Sequence, residues 1–167
     1  PRWSEAREAS TPSQTRNFGG FLSGPIKAKK AEFSVDFNYN QNDNSNLIRA
    51  TILDSANNIV GFNQDVTVPS RRFSFGPRVD FSINENNTLQ TAYSFSRNTS
   101  ENQGVGGFSL PSRASSSTNT QHEIRMTESM IVNAKTVNET RFQYEFTDSE
   151  RTGDNSIPTI SVSSAFS

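Results

Sequence analysis

Residues 71–96 read RRFSFGPRVDFSINENNTLQTAYSFS, with an apolar or aromatic side chain at nearly every second position. A period of two is typical of a β-strand that has one apolar face. The Asn-rich stretch 84–87 interrupts the run and predicts a compact turn, because Asn tolerates the left-handed backbone conformation. The stretch therefore predicts a β-hairpin with one apolar set on each strand: Phe73, Phe75, Val79, Phe81 and Ile83, then Leu89, Tyr93 and Phe95.

The same alternation recurs on both sides of this hairpin. A weaker, Gly-containing strand starts at Arg16, and Gly24-Pro25 is expected to break it and open the turn GPIKAKK. Two further strands are clearer, and their apolar sets are Phe33, Val35, Phe37 and Tyr39, and Thr140, Phe142, Tyr144 and Phe146.

Residues 122–135 fit two templates. A helical stripe would join Ile124, Thr127, Ile131 and Ala134, whereas a strand would join His122, Ile124, Met126, Met130 and Val132 with Glu128 among them. The neighbouring segments are strands, which favours a strand here.

The composition narrows the class of protein. Hydrophobic residues make up 31% of the 167 residues, the net charge is -1, and Phe contributes 13 residues. Disordered chains of low hydrophobicity usually combine high net charge with few aromatic residues, so this profile favours strands with one apolar face. The balance of charges gives no reason to expect nucleic acid as a partner, and the absence of cysteine excludes disulfides and thiolate sites. The sequence has no apolar run of about 18 residues, and its first fifteen residues are not expected to act as a signal peptide because they lack an apolar core.

The order of the connections points to a membrane barrel. Turns near 25–30, 84–87 and 133–136 are predicted to be short, and connections at 41–72, at 99–119 and from 147 onward to be long. Within the first long connection, LIRATIL is predicted to form a small hairpin with the segment near Val66. Outer-membrane barrels have short turns at one end, long loops at the other and spanning strands of about ten residues.

The fold class predicted is therefore all-β: an antiparallel up-and-down meander that forms a partial, open section of a large transmembrane β-barrel. The aromatic face would contact lipid. Pro77 within a strand is expected at an edge or a bulge, and Glu128 on the apolar face is expected near an interface. The opposite face would line a wet interior and carries Asp36, Arg78, Asp80, Gln90, Arg141, Gln143 and Glu145.

Residues suited to chemistry are few. His122 is the single histidine, and GVGG at 104–107 lacks the Lys-Ser/Thr of a phosphate-binding loop. Asp148, Glu150 and Asp154 lack the spacing of a calcium loop. No catalytic, cofactor-binding or metal-ligating residue is predicted, and no enzyme activity is expected.

Several stretches of the sequence together resemble one protein family. RNFGGFLSGPIKAKKAEFSVDFNYN at 16–40 is similar to the segment after the plug in the Oar-like group of TonB-dependent outer-membrane receptors, which carry a carboxypeptidase-regulatory-like N-terminal domain. FSFGPRVDFSINENNTLQTAYSFSRNTSENQGVGGFSLPSRA resembles their next hairpin and loop, MTESMIVNAKTVNETRFQY the one after, and GDNSIPTISVSSAF the following loop. EFSVDF departs from the unbroken Phe run that is usual in the group.

The resemblance implies a fragment of a barrel of about twenty-two strands, with residues 1–15 as linker or loop and 16–167 as about six strands of the receptor barrel. It implies energised uptake of a scarce nutrient or polymer across a Gram-negative outer membrane, without a cofactor. The implied partners are outer-membrane lipid, an extracellular ligand held by the long loops, and a TonB-type energising complex that engages the parent's N-terminal part. The alternative is a soluble secreted β-sandwich that acts as an adhesin or carbohydrate-binding module.

Overall fold

The computed structural model describes residues 13–154, 156 and 160–163 of the chain. Among these residues the one helical element is a three-residue 3-10 turn, Pro111–Arg113. The remaining elements are six strands: β1 Gln14–Lys27, β2 Ala31–Leu53, β3 Ile59–Asn84, β4 Asn87–Gln103, β5 Ser115–Asn133 and β6 Thr136–Gly153.

The six strands form one sheet in which each strand pairs antiparallel with the next along the chain. The spatial order is β1-β2-β3-β4-β5-β6, so the sheet is open, with β1 and β6 at its two edges. This confirms the predicted all-β up-and-down meander of about six strands. The described residues provide no second sheet of the kind that a β-sandwich needs.

The ambiguous segment 122–135 is a strand up to Asn133. It belongs to β5, which pairs along its length with β4 on one side and with β6 on the other. Pairing on both edges satisfies the backbone groups that a helix would have satisfied internally, and the helical alternative is wrong.

The first predicted long connection is mostly strand. β2 and β3 are 23 and 26 residues long and stay paired up to Leu53 and Ile59, so residues 41–72 form a protruding hairpin closed by a five-residue turn, 54–58. The smaller prediction inside it is correct, because Leu47 and Asn46 pair with Asp65 and Val66.

The other two long connections are also shorter than expected. β4 runs to Gln103 and β5 starts at Ser115, which leaves 104–114 as the connection rather than 99–119. β6 continues to Gly153 instead of ending near residue 147. The short turns span 28–30, 85–86 and 134–135, so short turns do gather at one end, but the opposite end carries extended strands as well as loops.

The structure corrects three smaller predictions, two about prolines and one about where the first strand begins. β1 is not broken at Gly24-Pro25 but continues to Lys27 with a register irregularity, which an edge strand tolerates. Pro77 lies in the interior strand β3, at neither an edge nor a bulge, where the β3–β4 ladder lacks pairs for residues 76 and 77 and keeps its register. The missing N–H of proline fits this gap. β1 begins at Gln14, inside the predicted linker, and residues 1–12 lie outside the described residues.

The short turns are staggered across the sheet. Ala31, at the first turn, lies in one cross-strand row with Phe81, Leu89 and Glu128. β3 continues three residues beyond this row and β5 five residues beyond it. A step of five residues at about 3.3 Å each, over four strand spacings of about 4.8 Å between the first and third short turns, corresponds to a strand tilt of about 40° from the perpendicular to the line of turns. The sheet therefore has the shear of a barrel wall.

Candidate functional site

One face of the sheet carries aromatic rings on every strand and is called the aromatic face. Cross-strand pairing places one continuous row on it: Phe37 opposite Phe75, Phe75 opposite Phe95, Phe95 opposite His122, and His122 opposite Phe146. Ring centroids are 5.1 Å apart for Phe95 and His122 and 6.3 Å for His122 and Phe146, within the range of favourable aromatic contacts. The apolar sets read from the sequence therefore share one face.

This face ends at a similar height, to within three residues, above the short turn of each strand. The last aromatic ring lies 8 to 11 residues from the strand end at the short turn, although the turns themselves step by five residues across the sheet. Because this spread of three residues is smaller than the five-residue step of the turns, the aromatic residues form a nearly level band. Its upper members are Phe18, Tyr39, Phe73, Phe95, His122 and Phe146.

The aromatic face has no protein cover among the described residues. Phe18 retains 68% of its accessible surface and Phe142 57%. On β1, Gly20 leaves space for the Phe37 ring, because a Cβ at this position would lie 2.6 Å from it. Phe37 thus covers the glycine and packs against Phe18 with centroids 5.6 Å apart.

Polar side chains on the aromatic face bond to each other. The Tyr93 hydroxyl lies 2.8 Å from His122 Nδ1. Glu128 accepts a bond of 2.8 Å from the Asn87 amide, and Asn87 is the first residue of β4 after its short turn. Glu128 lies five residues from Asn133, the end of β5, and six from His122, an upper member of the band. It therefore lies near the middle of the aromatic face and not near an interface, where the sequence analysis expected this charge.

The opposite face is called the polar face. It carries all seven residues predicted for it, because Asp36 follows the same alternation as Arg78, Asp80 and Gln90, and Arg141, Gln143 and Glu145 pair with the polar positions of β5. Asp80 accepts bonds of 2.8 and 3.0 Å from Arg78 and one of 2.8 Å from Gln90. Phe21, on the edge strand, is an apolar exception opposite Asp36.

Glu123 is the charged residue most removed from solvent on the polar face, with 7% of its surface exposed. It accepts bonds of 2.6 and 2.8 Å from Arg125 and one of 2.5 Å from Gln143. Arg141 pairs with Glu139 in the same way along β6. Cations and carboxylates therefore neutralise each other along the strands, which leaves a polar and nearly charge-balanced wall.

Above the band the apolar side chains change face. In the protruding hairpin, Ile48 and Ala50 occupy the alternation of the polar face, and both are buried, Ile48 completely. They form a small core with Val105 of the β4–β5 connection, against which four partly buried side chains pack: Phe62, Val66, Leu110 and Ala114. The connection therefore folds over the polar face and closes a core of its own.

Backbone bonds fix the connection to the hairpin. The Arg49 N–H donates to the Gly107 carbonyl at 2.7 Å and the Gly107 N–H to the Leu47 carbonyl at 3.0 Å, and the Asn46 amide donates to the Val105 carbonyl at 2.8 Å. Gly104, Gly106 and Gly107 have φ values of 85°, 131° and 59°, a region that favours glycine. The GVGG segment therefore has a defined backbone conformation and belongs to this small core.

Two exposed carboxylates at this end cap turns. The backbone N–H of Asn58, followed by its side-chain amide and the N–H of Ala56, lowers the pKa of Asp54 in the hairpin turn. The hydroxyl and the N–H of Ser156 lower the pKa of Asp154 after β6. Asp154 thus caps a local turn, and Asp148 and Glu150 lie on β6 opposite Thr120 and Thr118.

No cluster of three or more His, Asp or Glu side chains suited to a metal ion occurs among the described residues. No helix within the described part of the chain is long and apolar enough to cross a bilayer. Sequence reasoning missed the core of Ile48, Ala50 and Val105. The available signal was the alternation of Ile48, Ala50 and Ile52, which is out of phase with that of Phe33 to Tyr39.

Comparisons with protein-family models, with curated proteins and with solved structures find no match to this chain.

Proposed function

We propose that this chain is a section of the β-barrel of a TonB-dependent outer-membrane transporter. The observation that carries the proposal is the nearly level aromatic band, which ends 8 to 11 residues above each short turn. A tilted strand needs about 9–11 residues to cross the hydrocarbon of a bilayer. The tilt of about 40° also lies within the range of about 35–45° that transmembrane barrels have.

Two open edges support a larger barrel. Within the described part of the chain, β1 and β6 each pair with one strand only. In lipid every unpaired backbone group costs several kcal/mol, so an open sheet does not persist there and further strands have to close it. In this proposal the polar face lines the wet interior, with its self-neutralising pairs toward the lumen.

The proposal assigns ligand capture to the end opposite the short turns. The protruding hairpin and the connection 104–114 form a packed unit over the polar face, as a structure at the mouth of a lumen would. Transport, the nutrient or polymer cargo and the TonB-type energising partner come from the resemblance to the Oar-like receptors described above.

Membrane extraction of the full-length protein tests the proposal. We expect the protein to stay in the outer-membrane fraction through carbonate and urea washes and to migrate faster on gels when it is not heated, because a closed barrel resists detergent at room temperature. Recovery as a monomer that is soluble without detergent would instead support a secreted sandwich module.

A further inference from the structure

The upper part of β3 has a free edge. β3 pairs with β4 only from Ser70 toward the short turn, whereas the strand itself reaches up to Ile59. Residues 59–69 therefore pair with β2 on one side and with no strand of the described chain on the other. The stretch 59–65, here called the open edge, spans about 20 Å at about 3.3 Å per residue.

Backbone bonds show which groups of the open edge point outward. On β2, the Arg49 N–H donates to the Gly107 carbonyl, away from β3. Arg49 pairs with Asn63, and in an antiparallel ladder the two members of a pair that exchange no bonds point away from each other. The N–H and C=O groups of Asn63 therefore point away from β2. The same holds for every second residue of the open edge, which gives the set Ile59, Gly61, Asn63 and Asp65.

The open edge has a defined length. At its lower end the Thr67 carbonyl accepts a bond of 2.8 Å from the Asn102 side-chain amide, and Pro69 has no N–H. At its upper end the turn 54–58 closes the hairpin. Between Ile59 and Thr67 the strand has no lysine, proline or bulge, which are the usual protections of an exposed edge. Its outward backbone groups have no hydrogen-bond partner within the part of the chain that the structure describes.

The other edge of the same hairpin is covered by the chain's own backbone. Gly107 forms a parallel bridge with Ile48 of β2, and it both accepts and donates a backbone bond there. The connection 104–114 thus adds a short extended segment to that edge. The hairpin therefore already accepts an added backbone on one side.

The side chains around the open edge define what fits beside it. Gly61 and Asp65 lie on one face of the hairpin, and Phe62 and Val66 lie on the other. A Cβ at Gly61 would meet no heavy atom within 4 Å, so this backbone is uncovered. Asp65 is exposed and forms no ion pair with another described residue. Phe62 and Val66 pack against the small core and extend its apolar surface toward the edge.

We propose that the open edge binds an extended peptide as an added β-strand. Its outward N–H and C=O groups recur at every second residue, and an extended backbone is the ligand whose donors and acceptors repeat at that spacing. The side chains favour a peptide with a cation opposite Asp65, a large side chain over Gly61 and apolar residues on the face of Phe62. The inference follows from backbone pairing and does not depend on the proposed function.

A separate peptide fits this edge better than a second copy of the chain does. Two identical edges that pair antiparallel about a twofold axis at residue 62 set Asn63 opposite Gly61 and Ile59 opposite Asp65. That arrangement supplies neither a large ring over the glycine nor a cation for the carboxylate. The occupant that matches both is a peptide of different sequence.

Fluorescence anisotropy of the full-length protein in detergent solution tests the inference, with the fluorescein-labelled heptapeptide KVTVFVT as the probe. When it pairs antiparallel, its lysine lies opposite Asp65, its phenylalanine lies opposite Gly61, and the N–H groups of its odd-numbered residues face β3. We expect no binding by the peptide that is N-methylated at its third and fifth residues, because methylation removes those donors. The isomer that is N-methylated at its fourth and sixth residues should bind as the parent peptide does, because those N–H groups point away from β3.

Asn63→Pro tests the same contact from the side of the protein. The variant removes one outward N–H and leaves the bonds to β2, which come from the even-numbered residues. N63P should bind KVTVFVT about five- to a hundredfold more weakly, the range for one carbonyl left without a partner. N63A is the matched control, because it loses the same side chain but keeps the N–H, and it should bind as wild type does.

Four results would overturn the proposal. They are equal binding by N63P and N63A, equal binding by the two methylated isomers, no binding of the parent peptide at millimolar concentration, and a dimer of the free protein that N63P dissociates. The last result would show that a second copy occupies the edge. Hydrogen exchange over 104–114 shows whether the hairpin of N63P stays folded, and the methylated isomers decide the question without any variant.

Discussion

Replacing Phe142 by arginine puts a charge on the aromatic face of β6. Phe142 lies six residues above Thr136, the strand end at the short turn. At about 3.3 Å per residue and a tilt of about 40°, its height is roughly 15 Å, near the middle of an apolar band about 25 Å tall. An arginine at the midplane of a barrel costs about 2–4 kcal/mol, falling to about 0–1 kcal/mol at an interface.

We therefore expect F142R to lower the unfolding free energy of the full-length protein by about 2–4 kcal/mol and F146R, at the border of the band, by about 0–1 kcal/mol. F81R, three residues from the end of β3, should fall between them. The measurement is the folded, heat-modifiable fraction as a function of urea, with the protein reconstituted in phosphatidylcholine vesicles.

The adjacent residue Gln143 gives the matched control. It lies on the polar face and bonds to Glu123, so an arginine there meets a carboxylate and water. Q143R should change the unfolding free energy by less than about 1 kcal/mol, as surface substitutions usually do. If F142R is no more costly than Q143R, the aromatic face does not face lipid and the reasoning fails.

Three further substitutions test the parts outside the band. Ile48→Ala should destabilise the packed hairpin by about 2–5 kcal/mol because it leaves a cavity, seen as faster hydrogen exchange over 104–114, whereas the exposed Leu53→Ala should change it little. Asp54 has a lowered pKa, so its contribution to the turn is complete above its ordinary value of 3.8 and is lost as the pH falls through the folded value. Below the folded value, pepsin should therefore cleave the turn more readily. Asp54→Ala should show this faster cleavage at any pH at which pepsin acts. Glu123→Ala should cost about 1.5–3 kcal/mol, the usual range for bonds to a charged group, in urea unfolding; an effect equal to that of the more exposed Glu139→Ala would contradict the network around Glu123.

The strands below the border of the band could be predicted because one rule holds along each of them. Phe33 to Tyr39 and Phe142 to Phe146 keep one phase of the alternation, so both the strand and its face follow from the sequence alone. The alternation then assigns the intervening polar residues, including Arg78 and Asp80, to the opposite face. The sequence also placed the short turns, because Asn and Lys residues interrupt the pattern there.

The protruding hairpin could not be predicted in the same way. Its apolar residues fall on even positions, Ile48 and Ala50, after a run of Asn and Asp that separates them from the odd positions of the preceding strand. When apolar residues move from odd to even positions, the alternation appears to stop unless the segment that packs against the even positions is known. That partner is Val105, 57 residues after Ile48 and reached only because the connection folds back over the hairpin. The alternation of Ile48, Ala50 and Ile52 marks one side of this contact, but nothing in the sequence identifies Val105 as the other side.

The change of phase has a physical cause if the band lies in lipid. Below the border the solvent around the aromatic face would be hydrocarbon, so apolar side chains point away from the sheet and polar ones toward the lumen. Above the border both faces meet water, and apolar side chains can leave water only by packing against other protein, as Ile48 and Val105 do. A soluble sheet has a single solvent and no reason to exchange its faces at the same height on neighbouring strands, so the exchange between Tyr39 and Ile48 favours a chain that passes from one solvent into another.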